Sequence, residues 1–335
     1  MPARPPLVVL SDPSIHRTAV ALLERHCTVR ILEAYCPEGA FAEACAGADA
    51  ILARLGTVTR AVIEAAPGLR IIARHGVGVD AVDIPAATEH GTLVTSTGSA
   101  NAAAVAEYAF ALLLSLVRKT AQADGGMRAG RWSRDELLGM ELDGRTIGII
   151  GLGAIGARVA RQAQGFGMKV LAARSQRPQR QVDGVALVPL HDLLAASDVV
   201  TLHLRLSAET AGFLDASRIA AMRAGALLVN TARGELVDEP AMISALSGGH
   251  LGGAALDTFA EEPLSPASPL RALPNVVLSP HVAGQTIQAV ERVGLAAAQA
   301  VLDELSGRRP AIVHNEAAYE VRRRRGLFAT PRITA

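Results

Sequence analysis

Short apolar runs recur along this chain, separated by segments with helical period. Leu7-Val8-Val9-Leu10, Ala50-Ile51-Leu52 and Leu69-Arg70-Ile71-Ile72-Ala73 come first. After the turn Leu142-Asp143-Gly144-Arg145 the series resumes with 146–150, 169–173, 199–202, 226–229, 251–256 and 276–278. Such brief, non-alternating runs read as strands buried on both faces, the mark of parallel sheets. Repeated β-α alternation predicts an α/β fold with doubly wound parallel sheets in two units. Asn101 to Lys119 is rich in Ala, Leu and Val and lacks Pro and Gly, so it reads as a long helix between the units. A similar stretch from about Gln285 to Leu305 reads as the helix that leads the chain back.

A length of 335 residues fits two domains. Half the residues are hydrophobic, yet no apolar run approaches the roughly 18 to 20 residues that cross a membrane. The first residues lack a signal core. The expectation is a cytoplasmic protein with no membrane partner. A net charge of +1 gives no electrostatic reason to expect nucleic acid. Arg322 to Arg325 reads as a solvated or interface-bound tail. Cys27, Cys36 and Cys45 are too few for a disulfide framework and fit no zinc spacing, so buried thiols and no metal are expected.

The run Gly151-Leu152-Gly153-Ala154-Ile155-Gly156 follows one apolar strand and precedes a helix expected over Ala154 to Gln164. Its glycines permit the tight turn, the approach of backbone to a pyrophosphate and the packing of helix on sheet. A carboxylate is expected at the end of the next strand if the cofactor is NAD, because it binds the ribose hydroxyls. Arg174 stands there instead, followed by Ser175 and Arg177. That set suits a 2′-phosphate, so NADP(H) is the expected cofactor, with NAD(H) possible. Later in the chain Arg233, Glu262 and His281 supply an anion-binding guanidinium, a carboxylate and an acid/base. Together they describe hydride transfer to or from an acid substrate.

On these motifs, from about residue 45 to residue 315, the chain resembles the D-isomer-specific 2-hydroxyacid dehydrogenases. Asn230-Thr231-Ala232-Arg233-Gly234 matches the family's arginine motif, and the resemblance implies that Arg233 binds the α-carboxylate and the reacting carbonyl oxygen, beside Thr231 and Ala232 on the cofactor. Asp257-Thr258-Phe259-Ala260-Glu261-Glu262-Pro263 differs from the family pattern only at Thr258. It implies Glu262 as the partner of the histidine and Asp257 near the nicotinamide amide. Ser279-Pro280-His281-Val282-Ala283-Gly284 matches the histidine motif, with Gly284 on the cofactor side. His203 resembles the family's strand-end histidine, although Arg205 replaces the usual proline; a structural role is the ordinary alternative for it and for His75. Arg74-His75-Gly76-Val77-Gly78-Val79-Asp80 matches the substrate loop, where Val77 and Gly78 amides could hold a carboxylate. Asn101 lies in the hinge motif, while Arg54, Arg74 and Trp132 stand where the family approaches substrate, Trp132 from a partner subunit.

The resemblance further implies two Rossmann-like domains. A dinucleotide-binding domain, 100–287, is inserted in a flavodoxin-like substrate domain, 1–99 with 288–335, with the cleft between them and Arg309 to Asn315 as a last strand. The expected protein is a homodimeric NADP(H)-preferring D-2-hydroxyacid dehydrogenase, a reductase of a small 2-keto acid such as hydroxypyruvate or glyoxylate. An NAD-dependent D-3-phosphoglycerate dehydrogenase and a non-catalytic dinucleotide-sensing corepressor are the alternatives.

Overall fold

The computed structural model describes residues 4–175, 179–328 and 330–333. Ala102–Gln285 forms one compact unit, and the described residues on either side of it form another. Both are parallel α/β sheets.

In the discontinuous unit the strands are β1 (Leu7–Leu10), β2 (Thr28–Ile31), β3 (Ala50–Ala53), β4 (Ile71–Arg74) and β5 (Leu93–Thr95). They pair in parallel in the order β2-β1-β3-β4-β5, the flavodoxin-like order. Alternate residues enter opposite faces. Val9, Ile51 and Ile72 pack on one side, and Val8, Leu10, Leu52 and Ile71 on the other, against Ala297, Ala298 and Val301. Those last residues belong to the helix Ile287–Leu305, whose first turn is capped by the Thr286 hydroxyl accepting from Ala289 N–H. Burial of its apolar stripe is what returns this distant segment to the sheet.

Two of these strands escape the apolar-run criterion. β2 is an exposed edge with only Val29 half-buried, and β5 has three residues. Arg309 to Asn315, expected as a strand, is not one. Pro310 has no N–H to contribute to a ladder; the segment makes a single antiparallel bridge, Val313 to Thr95. The Asn315 side chain takes the place of ladder bonds, its Oδ1 accepting from Val94 N–H at 2.8 Å and its Nδ2 donating to Thr92 O at 2.8 Å. Arg322 is likewise not a solvated tail residue. It is buried, donates to Glu304 at 2.8 Å, and shares that carboxylate with buried Arg70 at 3.2 Å. Arg323 to Arg325 are exposed.

In the continuous unit the strands are β6 (Thr146–Ile150), β7 (Lys169–Ala173), β8 (Val185–Val188), β9 (Val199–Leu202), β10 (Ala226–Asn230), β11 (Leu251–Leu256) and β12 (Val276–Leu278). The parallel order is β12-β11-β10-β9-β6-β7-β8. The winding reverses between β6 and β9, so loops leaving their carboxyl ends diverge and leave a crevice for a ligand. β8, a four-residue apolar run outside the strands expected from the sequence, is an edge strand with exposed Ala186 and Leu187. The long helix Ala102–Arg118 presses Ala109, Phe110, Leu113 and Val117 into the core beside Ile149, Leu227 and Val229. It ends at Lys119, whose backbone is left-handed, and a second helix, Thr120–Arg128, follows. Among the described residues no helix is long and apolar enough to cross a membrane, and no cluster of three His, Cys, Asp or Glu could hold a metal. Cys27 and Cys45 are buried and Cys36 is half-buried; burial pushes the Cys27 and Cys45 thiols up to about 11 and about 12.

Candidate active site

The glycine turn sits at the switch point. Gly151 follows β6 at φ +104°, and a Cβ there would lie 2.5 Å from His203 O. The turns after β6 and β9 therefore touch backbone to backbone, closed by His203 N–H donating to Ile150 O at 2.8 Å. At Gly156, the first residue of the helix Gly156–Gly165, a Cβ would collide with Gly151 O, so only glycine lets the helix start this close. Gly153 is different: nothing lies within 4 Å of its missing side chain. Half-buried Ala154 and Ile155 complete the turn. Helix amides and an uncrowded glycine together form an opening suited to a pyrophosphate.

Buried polar atoms without protein partners support the same reading. Among the described residues His203 Nδ1, Thr231 Oγ1 and Thr258 Oγ1 are such atoms, and they follow the carboxyl ends of β9, β10 and β11. An unsatisfied buried polar group is costly, and three on one sheet edge fit a polar ligand such as the dinucleotide. Desolvation lowers the pKa of His203 from 6.5 to about 4, which keeps the ring neutral, and Nε2 lies 3.0 Å from Thr201 Oγ1.

At the end of β7, Arg174 is exposed and donates through Nη2 to Leu187 O of β8 at 3.2 Å. Ser175 follows it, also exposed. Arg177 lies outside the described residues.

The proposed reacting groups meet on the loops after β10, β11 and β12. Asn230 ends β10 and organises the first loop: its Oδ1 accepts from Ala232 N–H at 3.0 Å and its Nδ2 donates to Arg233 O at 2.7 Å. Arg233, half-buried, is steadied by Nη1 donating to Ala232 O at 2.7 Å. Gly234 comes next, and a Cβ there would fall inside the backbone of Phe259 and Ala260. That contact seats the Arg233 turn on the loop that carries Glu262. Glu262 Oε1 accepts from Phe259 N–H at 3.1 Å, and Oε2 lies 2.7 Å from His281 Nδ1. Burial works to raise the Glu262 carboxyl, but the hydrogen bond and charge of His281, the Phe259 amide and the Arg233 charge outweigh it and hold it below the ordinary value.

His281 itself is placed by Asp257. This buried carboxylate accepts from Ser279 Oγ at 2.6 Å, Val282 N–H at 2.9 Å and Ala283 N–H at 2.8 Å. His281 N–H donates to Asp257 O at 2.8 Å, and the residue takes a left-handed backbone at φ +52°. Asp257, expected beside the nicotinamide, thus has the histidine loop as its partner in the structure. Gly284 closes the same loop, in a turn tied by Gln285 N–H donating to Val282 O. The positioning roles of Asn230 and Asp257 were not legible in the sequence; their places at strand ends beside the motifs were the only signal.

The expected substrate residues of the discontinuous unit form their own cluster. Arg54 Nη1 donates to buried Asp12 at 2.9 Å. Arg74 is a clamp for the loop: Nε donates to Gly78 O at 3.0 Å, and Nη1 to Ala53 O at 3.1 Å and Arg54 O at 2.5 Å. Thr97 holds Gly76 O through both N–H and hydroxyl at 3.0 Å, which fixes the turn carrying Val77 and Gly78. His75 Nε2 is buried without a partner, close to Gly294, and desolvation lowers the ring to about 4. Asn101 Oδ1 is a further buried atom without a partner. In the continuous unit Trp132 stands exposed beside a groove of about 920 Å³ whose apolar walls include Leu116, Met127, Leu138 and Met140.

Residues 110–283 match the family description "D-isomer specific 2-hydroxyacid dehydrogenase, NAD binding domain". The chain is 42% identical over 266 residues to D-3-phosphoglycerate dehydrogenase 2, chloroplastic, of Arabidopsis thaliana, covering 78% of this chain and 43% of that protein. It is 40% identical over 267 residues to glyoxylate reductase of Korarchaeum cryptofilum, covering 78% of this chain and 80% of the other. The chain spans about half the length of the phosphoglycerate dehydrogenases it matches. A solved acyclic imino acid reductase, Bsp5, in complex with NADPH and D-Arg superposes with a TM-score of 0.83 at 27% identity, covering 92% of this chain and 99% of that one.

Proposed function

Because this chain belongs to the D-isomer specific 2-hydroxyacid dehydrogenase family, we propose that it is an NADP(H)-preferring 2-keto acid reductase for substrates of the hydroxypyruvate or glyoxylate type. The observation that carries the catalytic part is the 2.7 Å contact between His281 Nδ1 and Glu262 Oε2, beside Arg233. Glu262 remains ionised at neutral pH and accepts the proton on Nδ1, so Nε2 is left to face the substrate oxygen. In reduction the imidazolium gives its Nε2 proton to that oxygen; in oxidation the neutral ring takes it back. Arg233 holds the α-carboxylate and polarises the carbonyl, which a planar guanidinium does in two-pronged fashion. The nicotinamide cofactor, when bound, supplies or accepts the hydride. The glycine turn, Ala154 and Ile155 would hold its pyrophosphate, with His203, Thr231, Ala232 and Gly284 along the sheet edge. Arg174, Ser175 and Arg177 would hold the 2′-phosphate.

Arg54, His75, Val77, Gly78 and Asn101 are the proposed substrate contacts of the other unit. A homodimer is the proposed assembly, supported by exposed Trp132 and Leu138 beside an apolar groove, a surface that monomers seldom leave uncovered. A second reading, NAD-dependent D-3-phosphoglycerate dehydrogenase, is favoured by the Arabidopsis relative and by the two arginines Arg54 and Arg74. Initial rates with glyoxylate, hydroxypyruvate and 3-phosphohydroxypyruvate, each with NADPH and NADH, separate the readings. Turnover confined to the phosphorylated acid and NADH would overturn the first.

A further inference from the structure

Beyond the end of β7, the half-buried side chain of Gln179 bonds on both sides of Arg174. Gln179 Nε2 donates to Ala173 O at 2.8 Å, and Gln179 Oε1 accepts from Ser175 N–H at 3.1 Å. The next amide, Arg180 N–H, donates to Leu152 O of the glycine turn at 2.9 Å. A single carboxamide therefore satisfies a carbonyl and an amide that flank Arg174, and the peptide after Gln179 is tied to the phosphate turn. Asparagine carries the same donor and acceptor but is one methylene shorter.

We propose that Gln179 is a positioning residue for cofactor selection: it holds the Arg174–Ser175 corner in the shape that receives a 2′-phosphate. The inference rests on the NADP(H) reading given above. Residues left unbraced must be ordered as the ligand binds, whereas Arg174 and Ser175 are held on both sides by Gln179, and such preorganisation appears as affinity. Only a ligand that uses the corner gains from it. NADH, which lacks the phosphate, should be indifferent to Gln179.

The test replaces Gln179 with Met, which keeps the length and removes both hydrogen bonds, and with Glu, which keeps the acceptor and loses the donor. Calorimetric titration of the protein with adenosine 2′,5′-bisphosphate and with ADP reads the corner without turnover, and steady-state kinetics with both reduced cofactors accompanies it. The expected result for Gln179→Met is a rise of about fivefold in Kd for the bisphosphate and in KM for NADPH, since two hydrogen bonds, one exposed and one part-buried, contribute near the low end of their usual range. Kd for ADP, KM for NADH and kcat with either cofactor should stay within about twofold. Gln179→Glu should weaken the bisphosphate further, because the new carboxylate repels the phosphate. Equal weakening of both nucleotides, or a fall in kcat, would show a general structural role and overturn the proposal. So would unchanged bisphosphate affinity in Gln179→Met. A wild-type protein that binds ADP and the bisphosphate equally and prefers NADH would overturn the NADP(H) reading itself, and this inference with it.

Discussion

Replacing Gly234 with Ala probes whether the arginine turn and the glutamate loop act as one construction. The added methyl would occupy the space of the Phe259 carbonyl carbon and the Ala260 nitrogen. Both are backbone atoms, so no side chain can swing aside. Restoring van der Waals separation requires a relative shift of more than about 1 Å. The loop that must yield runs from Phe259 to Glu262; it carries the Glu262 carboxylate, supplies the Phe259 N–H that holds Oε1, and sets the reach of Oε2 to His281. The turn that must yield instead carries Arg233, braced by Asn230. Either displacement misplaces a proposed reacting group, and a misplacement near 1 Å costs about 100-fold in rate. We expect kcat for 2-keto acid reduction to fall by about 100-fold while the Kd of the reduced cofactor changes by less than about threefold. Stopped-flow single turnovers measure the first, and nucleotide fluorescence the second, at a temperature where circular dichroism shows both proteins folded. A Gly234→Ala protein with kcat within about threefold of wild type would refute the argument that this close approach sets the catalytic geometry.

His281→Ala should lower kcat by about 10²- to 10⁴-fold with cofactor affinity retained, as loss of a positioned acid/base does; a small loss would place the proton transfer elsewhere. Arg233→Lys should raise KM for the keto acid and lower kcat together, because an ammonium cannot reproduce a planar grip; near-normal kcat/KM would leave Arg233 only a positional charge. Arg174→Asp should reverse the preference for NADPH over NADH, expected at about tenfold or more in the wild type and narrowing with salt; an unchanged ratio of kcat/KM values would remove Arg174 from the phosphate site. His203 has a sharper pH signature. Its folded pKa, about 4, lies below the ordinary 6.5, so the unfolded chain binds the proton first as pH falls. Stability from the neutral ring is complete above 6.5, declines below it and is gone near pH 4. Urea unfolding should therefore show wild type losing about 2 to 3 kcal/mol more than His203→Gln between pH 7 and pH 4.5, and parallel losses would contradict a desolvated ring.

The sequence alone determined the elements whose signal is local. Buried parallel strands are apolar through several consecutive residues, so β1, β3, β6, β9 and β10 were visible as runs, and the helices Ala102–Arg118 and Ile287–Leu305 as long Ala- and Val-rich stretches, the first without Pro or Gly. Glycine motifs were visible because only glycine tolerates the backbone approaches at Gly151 and Gly156. Edge strands were less visible: β2 mixes Thr28 and Arg30 with Val29 and Ile31, and β8 is an apolar run of only four residues, Val185–Val188, that exposes Ala186 and Leu187. Arg309 to Asn315 misled in the opposite sense: it has strand-like residues, but the Asn315 side chain supplies the bonds that a ladder would. Tertiary structure alone decided which charges are engaged. Arg74 and Arg54 looked alike in sequence, yet Arg74 is committed to loop carbonyls and Arg54 to Asp12. Asp257 anchors the histidine loop, a partner no local pattern announced. A hydrogen bond between residues far apart in the chain depends on where strand ends fall in the sheet, and no local pattern encodes that distance.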